Sequence, residues 1–132
     1  MVVHAHLLST PATVLDGDRI VLTIPSDARF RSVATLVLGG IGSRADLPFE
    51  RTDDLQLAVL SALDASSGDA VTVEVHTQEG RLAVAVGPVR DGSGEDAGLV
   101  RVLSRLVDEV APERRDGAEW LTLVVLSPSA PA

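Results

Sequence analysis

The sequence predicts a two-layer α/β sandwich, a mixed and mostly antiparallel sheet with about three helices on one face. Three observations carry that prediction. Apolar residues recur at helical spacing in three separate segments. Val71, Val73 and Val75 alternate with Thr72, Glu74 and His76, the period-2 pattern of a half-buried strand. Hydrophobic residues make up 45% of the chain but aromatic ones 2%, so the core must be built of Val, Leu, Ile and Ala. Such a core suits β-branched strands meeting leucine-rich helices.

Composition removes several function classes. The 132 residues fit one domain with a substantial core. A formal net charge of −8 argues against nucleic acid, which rewards clustered positive charge. Cysteine is absent, so there are no disulfides and no thiolate metal sites. All 11 basic residues are Arg, and without Lys a P-loop of the G-x-x-x-x-G-K-[ST] type cannot exist. No apolar run reaches the length of a membrane span, and the first residues hold no basic stretch ahead of an apolar one. The expectation is a cytoplasmic protein with no membrane partner.

Residues 1–18 form an N-terminal extension or edge strand, with Val2 to Leu8 as the strand and turns at Ser9-Thr10-Pro11 and Asp16-Gly17-Asp18. His4 and His6 share one face there, but two imidazoles without a third ligand make a weak metal site. Residues 19–127 form the domain. Arg19 to Ile24 is a strand ended by Pro25. Ser26 caps a helix whose stripe is Phe30, Val33, Ala34, Val37, Leu38 and Ile41, and Gly39, Gly40 and Gly42 weaken and end it. Gly40-Ile41-Gly42-Ser43-Arg44-Ala45 matches the dinucleotide fingerprint, but Pro48 interrupts the helix that motif needs, and the match is read as chance.

The organising element is Thr52 to Gly68. Leu55, Ala58, Val59, Ala62 and Leu63 form its stripe, Thr52 caps it, Asp53 and Asp54 complement its dipole, and Gly68 closes it. Leu57 and Leu60 lie off the stripe and are candidates for a dimer or partner contact. Ala70 to His76 and the strand of Leu82, Val84 and Val86 make a hairpin around Thr77-Gln78-Glu79-Gly80. His76 at its tip has no catalytic partner motif. A loop rich in glycine, Gly87 to Gly98, leads to a helix from Leu99 to Val110, ended by Pro112. A charged turn, Glu113 to Gly117, then precedes the last strand, Glu119 to Leu126. Residues 128–132 are a disordered tail.

The segment Asp54-Leu55, Leu57-Ala58-Val59 and Ala62 resembles the helix carrying the catalytic box of the anti-sigma-factor serine kinases, small members of the GHKL ATPase superfamily. The likeness covers about residues 19–126 and implies a Bergerat-like fold. In that family the box reads roughly D-L-x-L-A-V-x-E-A-x-x-N. Its Glu polarises water or substrate, and its Asn holds magnesium against the nucleotide phosphates. Here Ser61 stands at the Glu position and Ala65 at the Asn position. The family's D-x-G-x-G survives as an offset Asp91-Gly92-Ser93-Gly94, and its later G-x-G-L as Gly98-Leu99. Asp91, Gly92, Gly94 and Gly98 are therefore the candidates for any nucleotide contact.

The resemblance implies a regulatory protein-binding module without catalytic residues and without a cofactor. Its partner would be a sigma factor, an anti-sigma antagonist or a second copy of the chain. The alternative is an active ATP- and magnesium-dependent kinase that uses shifted residues such as Asp64 and Asp91. A further alternative is an unrelated small α/β domain.

Overall fold

The computed structural model describes residues 19–126. The expected N-terminal strand, the histidine pair His4 and His6, and the C-terminal tail lie outside them. The chain runs through strand β1 (Arg19–Pro25), helices α1 (Arg31–Arg44) and α2 (Phe49–Leu63), strands β2 (Ala70–Gln78) and β3 (Arg81–Val89), helix α3 (Ala97–Leu106), and strands β4 (Glu109–Arg115) and β5 (Ala118–Leu126). The five strands lie in the order β1-β2-β3-β5-β4. Every pairing between them is antiparallel.

The alternation in the sequence sets the two faces of this sheet. Leu22 and Ile24, Val71, Val73 and Val75, Leu82, Val84 and Val86, and Leu121, Leu123 and Val125 form one covered face, each 2% exposed or less. Against it pack Ala34, Leu38 and Ile41 of α1, Leu55, Val59, Ala62 and Leu63 of α2, and Leu103 of α3. The core is aliphatic throughout, as the composition requires. Thr23, Thr72, Glu74, His76 and Thr122 point the other way and stay partly exposed.

Several element boundaries differ from expectation. A 3-10 turn, Ala28–Phe30, capped by the Asp27 carboxylate, precedes α1, so Ser26 does not cap the helix. The glycines of α1 do not end it. Gly39 and Gly42 let α2 come close: a methyl on Gly42 would lie 2.4 Å from Thr52 Oγ1, and one on Gly39 would lie 3.1 Å from Gln56 Nε2. Gln56 Nε2 also donates to the Thr35 carbonyl at 2.7 Å. Thr52 is therefore a buried residue of the α1–α2 contact and not a cap. The helix starts behind Pro48, whose fixed φ suits a helix entry. Gly68 takes φ +90° in the turn toward β2 and lies beyond the helix end at Leu63.

The last difference is a strand. The helix expected to reach Val110 ends at Leu106, and residues 109–115, which include the first three of the charged segment read as a turn, form β4. The chain reverses at Asp108, whose carboxylate accepts from the Leu126 amide at 2.7 Å and from Arg51 at 2.6 Å. Pro112 is accommodated because β4 is an edge strand. Asp116 and Gly117, at φ 49° and 80°, make the tight turn into β5.

Candidate functional site

The candidate site is the junction of the α2 C-terminus with the segment joining β3 to α3. Ser61 lies near the end of α2, and its hydroxyl donates back to the Leu57 carbonyl at 3.1 Å. Ala65 follows the helix at 2% exposure, and its carbonyl accepts from the Arg90 amide at 2.8 Å. The Ser67 amide donates to the Pro88 carbonyl at 2.9 Å. The end of α2 is thus bonded by its main chain to the residues leaving β3. Ala62, Ala65, Val89 and Leu103 are buried at 2% exposure or less and belong to one hydrophobic core. Asp64, one residue from the Asn position, forms an ion pair with Arg31, and its carbonyl accepts from Arg90.

Of the four residues expected near a nucleotide, Gly92 and Gly94 converge and the other two do not. The Gly92 amide donates to Glu119 Oε1 at 2.8 Å, and the Gly94 amide donates to Glu119 Oε2 at 2.6 Å. Gly92 takes φ +93°, which turns the loop so that both amides face one carboxylate. Asp91 is exposed and stands 3.8 Å from Arg114. Gly98 is exposed in the first turn of α3, where the Asp96 carboxylate caps the helix by accepting from the Leu99 amide at 3.1 Å. The hydrogen bonds from Gly92 and Gly94 hold the Glu119 carboxyl below the ordinary carboxylate range. Burial pulls the other way, and Arg114 at 4.0 Å adds a smaller downward pull.

From the sequence Glu119 is expected only to open the last strand. Its signal was parity: Glu119, Leu121, Leu123 and Val125 alternate onto the covered face, so a carboxylate there requires a partner.

A second charged cluster occupies the opposite face of the sheet. Arg115 donates to Glu113 and, at 3.2 Å, to Glu74, and its guanidinium lies over the Trp120 ring, 4.4 Å from the centroid. Arg19 adds a second contact to Glu74 at 3.1 Å. Burial raises the Glu74 carboxyl, but the bonds from Arg19 and Arg115 outweigh it and the net shift is downward. Arg115 likewise lowers Glu113. Of the two leucines proposed for a partner contact, Leu57 is 48% exposed, whereas Leu60 packs partly against the core.

Among the described residues no three His, Asp or Glu side chains gather as a metal-holding group, and no helix is long and apolar enough to cross a membrane.

No family model matches the chain. The chain is 36% identical over 77 residues to the serine-protein kinase RsbW of Listeria innocua serovar 6a, a stretch covering 52% of this chain and 49% of that protein. Its likeness is to serine-protein kinases. The RsbW of Listeria monocytogenes serotype 4a is 35% identical over a stretch of the same length and the same shares. The chain therefore spans about half the length of the curated relatives it matches. The similarity to RsbW supports the resemblance read from the helix box.

Proposed function

We propose that this chain is a regulatory protein-binding module related to the anti-sigma-factor serine kinases, working in the cytoplasm without ATP-dependent phosphoryl transfer. Its partner is a sigma factor or an anti-sigma antagonist, with a second copy of the chain as the competing occupant. The likeness to RsbW supports the regulatory part of this reading. The observation that carries the rest is Ala65. It sits at the family's magnesium-binding position, offers a methyl where a hard cation needs oxygen, and is buried with its carbonyl bonded to Arg90.

The neighbouring donors do not fit a magnesium nucleotide either. Ser61 has no carboxylate and turns its hydroxyl to Leu57, the Asp64 carboxylate is engaged by Arg31, and the Gly92 and Gly94 amides already hold Glu119. Phosphoryl transfer depends on positioning and on charge neutralisation by the metal, and these residues supply neither.

Calorimetry with ATP and excess magnesium tests the reading, with no binding heat expected. Micromolar binding, or transfer of phosphate from ATP to a serine of a small anti-sigma antagonist, would overturn it and favour the kinase.

A further inference from the structure

The segment from Arg90 to Asp96 is tied down at both ends and in its middle. At its start the Arg90 amide bonds to Ala65 at the end of α2. In the middle Ser93, 7% exposed, donates its hydroxyl to the Arg90 carbonyl at 2.6 Å. The Gly92 and Gly94 amides reach across to Glu119 on β5. At its end Asp96 caps α3. Helix α3 itself is lightly anchored. It buries one residue fully, Leu103, whereas α2 buries six. Leu103 and, just past the helix, Val107 are buried in the core, Leu99 and Leu106 pack partly against it, and the first turn is held in addition by the Asp96 cap of the segment before it.

We propose that residues 90–96 form a strap latched by Glu119, a contact that holds the first turn of α3 and the end of α2 in place. Opening the latch frees the strap and the first turn of α3 and bares the main chain around Ala65, while the sheet and the core contacts of α3 stay in place. Elements with few buried contacts are the ones that open below the global unfolding limit. Both oxygens of one carboxylate are used by two amides, and charge-assisted bonds of this kind are stronger than neutral ones. The proposal goes beyond the partner-binding reading and does not depend on it, because it rests on contacts within the strap and with Glu119, Ala65 and α3.

Amide hydrogen exchange on the full chain tests it, with Glu119→Gln as the first variant. Gln keeps the shape but has one acceptor oxygen for two amide donors. Exchange at Arg90, Gly92, Gly94 and the first turn of α3 is expected to accelerate about tenfold, while β2 and β3 are unchanged. Gly94→Ala is the second variant. Its added methyl would meet the Pro112 Cβ at 2.6 Å and Glu119 Oε2 at 3.1 Å, lifting the strap while the carboxylate stays charged. It should loosen the same amides, and it decides the matter if Glu119→Gln does not fold. Unchanged exchange in the strap, or acceleration spread evenly over strap and sheet, would overturn the latch.

Discussion

At Ala65 the methyl group is 2% exposed, and the adjoining carbonyl is already taken by the Arg90 amide. Placing the residues of the box it resembles at these positions, Ser61→Glu with Ala65→Asn, is therefore not expected to create a magnesium site. The Asn amide has to enter a buried position that belongs to the aliphatic core. The expected outcome is a loss of roughly 1–3 kcal/mol in urea unfolding, from burying an unpaired amide. ATP should still give no calorimetric heat. Gain of nucleotide binding by this double variant would mean that two side chains, and not the closed junction, are all that separates the chain from a kinase.

At the scale of elements, α2 separates residues that hold the fold from residues free for other work. Leu55 is 0% exposed beneath the helix and Leu57 is 48% exposed above it. Leu55→Ala should cost about 2–5 kcal/mol, through lost burial and the cavity left behind. Leu57→Ala should stay within about 0.5 kcal/mol, as surface changes usually do. Chemical denaturation of the two variants checks the contrast. The existence of α2, of the hairpin and of the covered face was legible because long stretches obey one period. Strand β4 was not. Leu99, Leu103, Leu106 and Val110 continue a helical stripe past the point where the chain has already turned, and Pro112 with its charged neighbours disguises an edge strand. Asp116-Gly117, a two-residue hairpin signal, was the sign that two strands meet there. The Gly39 and Gly42 contact was illegible for another reason: glycine at a helix end and glycine under a crossing helix look alike until the second helix is placed.

For the whole molecule, the three displaced glutamates set the acid side of stability. Glu119, Glu113 and Glu74 all lie below the ordinary value of 4.5 in the folded state. A carboxyl lowered on folding stabilises fully above its unfolded value, and that contribution is lost as pH falls through the folded one. Stability should therefore be level above about pH 4.5 and decline below it, read as a falling thermal midpoint. Glu119→Gln should flatten the part of that decline due to the latch. The charge of −8 offsets part of that decline, since self-repulsion lessens as exposed carboxylates protonate.

Strand β5 follows every other described element in the chain, yet it lies between β3 and β4. A ribosome therefore releases all three described helices and the other four strands before the piece that joins them arrives. Until residues 118–126 emerge, β4 has nothing to pair with, and Leu82, Val84 and Val86 border an open seam in the sheet. Synthesis from the N-terminus cannot finish this sheet in stages; the arrival of β5 closes it in a single late event.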